Sequence, residues 1–356
     1  MTEPTHTRAE IMQQPAIWRD MAQTLPEQVA GIRDWIAARD PGQIWLAGAG
    51  SSAFVGEVVA RAIAGGRPVS ALPTTDLVAS PGLALHRPGR ALVVQFGRSG
   101  DSSESVAVLD LLDRHRPDLD RLHVTCNPAS ALATREGLGP GQTRALILPE
   151  ATHDRGFAMT SSFTSMLIAA LAVFDDGLDV AGALPRLADS ASRLLTDLWT
   201  RPAPRPDRAV FLGSGALTGI ARESALKVLE LTAGATMTQW DSSLGFRHGP
   251  KAGVDAHTSV FVMIHPDPQT ARYDIDLADE IRHQFPRIAV VTLGGAGADI
   301  AFDLTSSSAD AALYVLPAQV LAHRWSQDLG LAVDDPFAGR NLTRVVAGVR
   351  IHGWVP

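Results

Sequence analysis

Cysteine, lysine and tyrosine are nearly missing from this chain. In 356 residues there is one cysteine, Cys126, and there are two tyrosines. A single cysteine excludes an intrachain disulfide and a zinc site built from cysteines. No run approaches the ~18 apolar residues a membrane span needs, and the N-terminus shows no apolar signal-peptide core. A cytoplasmic protein without a membrane segment is therefore expected. Positive charge is also short: 31 Lys+Arg stand against 38 Asp+Glu, a formal charge of −7, which argues against a general nucleic-acid surface. An anionic small molecule would need a local pocket of donors. Eleven histidines include no HExxH or comparable ligand spacing, so neither a metal nor a redox cofactor is expected.

The shortage of lysine is the most informative of these gaps. Only Lys227 and Lys251 are lysine, and every other cationic side chain is arginine. A lysine kept against that bias points to a need for a compact, rotatable ammonium that a planar guanidinium cannot meet. Both fall within the stretch 222–251, RESALKVLELTAGATMTQWDSSLGFRHGPK. There Glu223, Lys227 and Glu230 stand at i, i+4 and i+7, so a helix through ESALKVLEL puts all three on one face, with Leu226, Val228 and Leu229 expected to anchor it. Beyond it comes His248, in RHGP, where glycine and proline impose a loop. Carboxylate, ammonium and imidazole are the groups needed to move a proton between adjacent carbons of a sugar. The plain alternative is an exposed helix face whose Glu–Lys pair is worth about 0.3–0.5 kcal/mol.

At this length two domains are the natural expectation. Residues 1–40 read as a peripheral helical segment, with a capping box at Thr7–Glu10 and interruptions at Pro15 and Pro26. Strands are predicted at QIWLAG (43–48), ALVVQF (91–96), LHVTC (122–126) and ALILP (145–149), with VSALPTTDL (69–77) extended. Helices are predicted over 54–63, 106–112, 160–174 and 184–199, and RPAPRPDR (201–208) reads as a linker. Strands alternating with helices imply an α/β fold with a parallel sheet covered on both faces. The pattern then restarts: AVFLGSG (209–215), SVFVMIHP (259–266), IAVVTLGG (288–295) and ALYVLP (312–317) echo the first four strands. Each echo stands at an offset of roughly 165–168 positions, the mark of an internal duplication.

The two copies differ at the turn after their second strong strand. The first has GRSGDSS (97–103), rich in hydroxyls at a helix start, whereas the second has HPDPQT (265–270). Free N–H groups and the positive end of the helix dipole suit the first to a phosphate, although an ordinary N-cap is the simpler reading. GAGSS (48–52) lies at the equivalent junction of the neighbouring unit, and two such junctions side by side mark a ligand crevice. GAGSS has neither the dinucleotide-binding spacing nor that of a P-loop.

These segments resemble the sugar isomerase (SIS) domain family in its tandem form. GAGSS, FGRSGDSSES, ESALKVLEL and RHGP resemble the isomerase half of glucosamine-6-phosphate synthase. EIMQQPAIWRD, GAGSSAFVGE, ESALKVLELTAG, DSSLGFRHGPK and NLTRVVAGV are closer to the galactosamine-6-phosphate deaminase/isomerase group, also called tagatose-6-phosphate ketose/aldose isomerase. The resemblance implies two tandem SIS domains, each a flavodoxin-like three-layer sandwich. The expected segments are 1–40, a first domain over 41–200, a second over 207–335, and a tail over 336–356 that closes on the site.

By the same resemblance Ser51, Ser52, Ser99 and Ser102 bind phosphate and sugar hydroxyls, and Thr160 and Ser161 line the substrate. Glu230 is the base shuttling a proton between C1 and C2, Lys227 lies near the substrate, Glu223 is a polar neighbour, and His248 opens the ring. His248 comes from the partner subunit in the synthase, which implies a homodimer, or dimer of dimers, with shared sites. Arg98 replaces the family's usual glutamine and adds a cation for the anion. Arg344 stands where the synthase has a lysine; arginine does not release its proton, leaving a charge contact there. No glutaminase-type domain is expected ahead of the repeat, which favours the degradative direction. The implied substrate is a hexosamine 6-phosphate, foremost galactosamine 6-phosphate. A plain ketose/aldose isomerase, a glucosamine-6-phosphate deaminase and a non-catalytic sugar-phosphate sensor are the alternatives.

Overall fold

The computed structural model describes residues 5–63, 66–340 and 342–355. Asn341, the first residue of NLTRVVAGV, lies outside them, as do residues 1–4 of the expected N-terminal segment. In chain order the first elements are α1 (His6–Arg39), β1 (Gln43–Ala47), α2 (Ser51–Ala62), β2 (Val69–Ala71), α3 (Thr74–Ala79), α4 (Gly82–Leu85) and β3 (Ala91–Gly97). There follow α5 (Ser103–His115), β4 (Asp120–Thr125), α6 (Ala131–Thr134), β5 (Thr143–Ile147), α7 (Ser161–Phe174) and α8 (Val180–Thr200). The last group is β6 (Arg208–Gly213), α9 (Leu217–Leu231), β7 (Met237–Asp241), α10 (Ser243–Phe246), β8 (Thr258–Met263), α11 (Pro268–Gln284), β9 (Ala289–Gly294), β10 (Ile300–Ala301) and α12 (Ala311–Asp328).

Two compact units result. One comprises Gln23–His153, Ser161–Asp176 and Thr343–Pro356; the other Met1–Ala22, Asp154–Thr160 and Gly177–Leu342. The first holds a parallel sheet in the order β2-β1-β3-β4-β5. The second holds β10-β9-β8-β6-β7, also parallel, which read from its other edge is the same order. This 2-1-3-4-5 arrangement is the flavodoxin-like order, so the α/β duplication expected from the sequence is present. Every residue of β3 and β4 is buried, as befits central strands covered on both faces. In the second unit Val210, Leu212, Val260 and Val262 of the sheet pack with Leu277, Ala278 and Ile281 of α11.

The duplication extends to backbone detail. Gly50 and Gly215, at φ 55° and 57°, occupy the turns after β1 and β6. A Cβ on Gly48 would stand 2.5 Å from the Ser52 carbonyl carbon, and one on Gly213 would stand 2.6 Å from the Leu217 carbonyl oxygen. Both strand–helix junctions therefore require glycine for close backbone approach.

Several local expectations are corrected. ALYVLP (312–317) is not a strand but part of α12; the fifth strand is β10, two residues long. Residues 311–323 are buried without a break, and a fully apolar run cannot distinguish a buried helix from a buried strand by period. Of residues 69–77 only Val69–Ala71 is a strand, and Thr74 begins a helix. α1 runs unbroken through Pro15 and Pro26. Pro15 lacks the N–H that would bond the Ile11 carbonyl, and Gln14 replaces it, its Nε2 donating to Ile11 O at 3.0 Å. The capping box is absent. Thr5 Oγ1 accepts from Arg8 N at 3.1 Å, while Thr7 donates to Asp334 and Glu10 accepts from the Arg155 and Gly156 amides. No helix of the described residues is long and apolar enough to cross a membrane.

Candidate active site

In the second unit, α9 places Glu223, Lys227 and Glu230 together, as their spacing predicts. The Lys227 ammonium lies 2.6 Å from Glu230 Oε2 and 3.4 Å from Glu223 Oε1. The plain alternative of an exposed pair fails on burial. Side-chain exposure is 1% for Lys227 and 0% for Glu223, and 24% for Glu230. Nor do Leu226 and Leu229 anchor the helix; both are partly exposed, and the buried side is Leu217, Ile220, Ala221, Ala225, Val228 and Leu231 together with the ionic pair. A charge withdrawn from water this far needs partners, and the two carboxylates supply them.

Glu230 sits in the last turn of α9. The turn closes with Ala233 N–H on Glu230 O at 3.0 Å and Gly234 N–H on Leu229 O at 2.9 Å, with both residues at positive φ. A carboxylate at the negative end of a helix dipole is disfavoured, and the Lys227 ammonium offsets this. The arrangement is a half-open carboxylate held by a buried cation, a geometry suited to accepting and returning a proton. His248 lies in the same unit on the turn between α10 and the 3-10 turn Pro250–Gly253, and its side chain is exposed. Its backbone N–H donates to Gly245 O at 2.9 Å.

In the first unit, Ser51 and Ser52 open α2 and are buried. Ser102 is the N-cap of α5: its Oγ accepts from Ser105 N at 3.3 Å and donates to Ser105 Oγ at 2.9 Å. The capping role weighed from the sequence is thus realised at Ser102, while Ser99, half-buried, accepts a long 3.4 Å bond from Asp101 N on its Oγ and a 3.0 Å bond from Asn127 Nδ2 on its carbonyl. Arg98 is buried, and its Nη2 donates to Arg344 O at 3.3 Å. Arg344 itself has an exposed side chain, so its backbone makes this contact. The tail continues across the start of α5, with Ser103 N–H donating to Val346 O and Val349 N–H to Ser103 Oγ, both at 3.4 Å. Trp354 then rests edge-on to His115, with ring centroids 4.7 Å apart.

Thr160 is fully buried, its N–H and hydroxyl both donating to Asp154, at 2.7 and 3.2 Å. Ser161, at the start of α7, is fully buried as well.

Comparison with known proteins agrees with this architecture. The SIS domain pattern matches residues 38–175. A relative from Streptomyces coelicolor is 44% identical over 98% of this chain and 95% of its own length. The Escherichia coli D-galactosamine-6-phosphate deaminase AgaS is 38% identical over 98% of this chain and 96% of its own. This chain belongs to the AgaS family. The crystal structure of tagatose-6-phosphate ketose/aldose isomerase from Escherichia coli matches it with a TM-score of 0.88 and 36% identity, over 98% of this chain and 97% of that one.

Two acids of α11 in this AgaS-family chain were not expected from the sequence. Asp274, fully buried, accepts from Ser214 Oγ at 2.6 Å, from Ser243 Oγ and from His265 N at 3.0 Å. It thereby ties together the turns after β6, β7 and β8. A signal was present: Asp274 precedes Leu277, Ala278 and Ile281 at i+3, i+4 and i+7, which puts an acid on the apolar stripe. Glu280 accepts from Arg247 Nε at 2.7 Å and from Lys251 Nζ, the residues on either side of His248–Gly249–Pro250. Nothing in the sequence marked it.

Proposed function

We propose that this protein converts galactosamine 6-phosphate and water to tagatose 6-phosphate and ammonium, acting in the cytoplasm as a homodimer or dimer of dimers. Identity to the Escherichia coli deaminase over nearly the full length of both chains carries the assignment. The buried Lys227 bracketed by Glu223 and Glu230 supports the chemistry. His248 assists ring opening as general acid and base. Glu230 takes the proton from C2 of the open-chain amino sugar, and the electron pair moves to form the C1–C2 enolamine, with the C1 oxygen gaining a proton. Lys227 steadies the negative charge that develops in this step. Glu230 returns its proton to C1, leaving an imine at C2. Water adds to that imine and the C2–N bond breaks, so ammonium leaves and the ketose remains. Oxidation of C2 balances reduction of C1, so no external electron acceptor enters. Ser51, Ser52, Arg98, Ser99 and Ser102 are assigned to the phosphate and sugar hydroxyls, Thr160 and Ser161 to the substrate lining, Glu223 to support of Lys227, and Arg344 to a charge contact.

A second reading, isomerisation without loss of nitrogen, is favoured by the designation of the solved Escherichia coli structure. One assay separates them: ammonium and ketose are measured with galactosamine 6-phosphate, with glucosamine 6-phosphate and with tagatose 6-phosphate. Ammonium and tagatose 6-phosphate should appear in equal amounts from the first. Aldose formation from tagatose 6-phosphate, with no ammonium from either amino sugar, would establish the isomerase instead.

A further inference from the structure

His248 lies on a turn with little intrinsic stiffness. Gly249 holds φ 124° and ψ −48°, a conformation that side-chain-bearing residues rarely adopt. The turn is held by two backbone bonds, His248 N to Gly245 O and Ala252 N to Gly249 O, both 2.9 Å, and by one long side-chain bond, Gln239 Nε2 to Pro250 O at 3.3 Å, none of which reaches the imidazole. The imidazole is exposed, so packing does not orient it.

The residues flanking the turn are held differently. Arg247 and Lys251 bind the two separate oxygens of one carboxylate, Arg247 Nε at 2.7 Å from Glu280 Oε2 and Lys251 Nζ on Oε1. All three are only partly exposed, with Lys251 the most covered at 18%. Glu280 sits on α11, whose Leu277, Ala278 and Ile281 are buried in the core and whose Asp274 accepts from Ser243 at the start of α10. A rigid helix therefore grips both ends of the histidine turn. The charges argue the same way. Arg247 and Lys251 would repel each other without the carboxylate between them, and the Lys251 ammonium, followed by Arg247, holds the Glu280 carboxyl below the ordinary carboxylate range. The second of the chain's two lysines thereby gains a role: its slim ammonium reaches one oxygen of a carboxylate already engaged by a guanidinium.

We propose that Glu280 is the positioning residue for His248, clamping Arg247 and Lys251 so that the turn presents the imidazole in one place. This rests on the reading that His248 acts on the substrate. The effect belongs to turnover rather than to ground-state binding, because a misplaced acid–base group still leaves the phosphate and hydroxyl contacts intact. Misplacement by about 1 Å can lower a rate up to ~10²-fold.

The test is a double-variant cycle on the full-length protein. Values of kcat and KM for ammonium release from galactosamine 6-phosphate are measured for Glu280→Gln, His248→Ala and the pair, with thermal unfolding followed on each. Glu280→Gln should lower kcat by ~10-fold or more with KM nearly unchanged, and should add nothing once His248 is alanine. Equal losses in both backgrounds, or no loss with Glu280→Gln while His248→Ala is impaired, would overturn the clamp alone. Full activity in His248→Ala would remove the reading of His248 and the clamp with it. Should Glu280→Gln fail to fold, Lys251→Met cuts one arm of the clamp and must show the same dependence on His248.

Discussion

Glu10 is a carboxyl placed where water barely reaches, 6% exposed, with its oxygens on the amides of Arg155 and Gly156 and with Asp154 nearby. Burial first, and then the charge of Asp154, push its pKa up to about 7 against an ordinary 4.5; the two amides pull the other way and lose. The native state thus keeps a proton that the unfolded chain has given up between these values. Its stabilising contribution is complete below about pH 4.5 and is lost as pH rises through about 7. Unfolding free energies measured at pH 5, 6 and 7 should fall across this window by on the order of 1–3 kcal/mol. Glu10→Gln, which keeps an acceptor for the amides but cannot ionise, should flatten that slope. An unchanged slope would place the titration elsewhere. Lys227 is likewise set in a buried position, between two carboxylates.

Among the elements, α1 contradicts the ordinary effect of proline and does so with a side chain. The Ile11 carbonyl left bare by Pro15 receives Gln14 Nε2, and the same nitrogen donates to Gln319 Oε1 of α12 at 2.8 Å. Gln14 is fully buried. Gln14→Leu conserves much of the volume yet strands both acceptors away from water, so it should destabilise the protein by about 1–3 kcal/mol. Denaturant unfolding of the two proteins checks this, and a loss within experimental scatter would show that the helix tolerates Pro15 unaided. α12 illustrates the complementary case. Its apolar run reads equally well as a strand, and only its burial as an 18-residue helix, with the short strand β10 taking the sheet edge instead, resolves the assignment.

On the scale of the whole molecule, two copies of one fold differ in the residues that cap corresponding helices. At the start of α5 the cap is the neutral Ser102, whereas at the start of α11 it is Asp267, accepting from Thr270 N and Oγ1, both at 2.9 Å. An acid there satisfies the helix dipole itself and repels a phosphate. Assembly is the matching question. If His248 serves the partner subunit's substrate, mixing His248→Ala with Glu230→Gln protein should restore part of the activity once subunits exchange. Recovery approaching a quarter of the wild-type specific activity is expected, about the share of active sites that random pairing in a dimer rebuilds with both native residues. No recovery, with exchange shown by an independent label, would leave both residues serving a single chain.

The sequence alone determined the duplication, the order of strands and helices through most of the first copy, β6, β8 and β9 of the second, and the shared face of Glu223, Lys227 and Glu230. These follow from periodicity and spacing, which are properties of the chain taken locally. It did not determine that Lys227 is buried, that Leu226 and Leu229 are left partly exposed, that 312–317 is helical, or that Gln14 rescues Pro15. Each of these depends on which surfaces meet, and a side chain's neighbours in space are often hundreds of positions away. Asp274 and Glu280 lie between these extremes. Asp274 was visible as an acid on an apolar stripe, whereas Glu280 resembles any other charged residue until the fold brings Arg247 and Lys251 to its two oxygens.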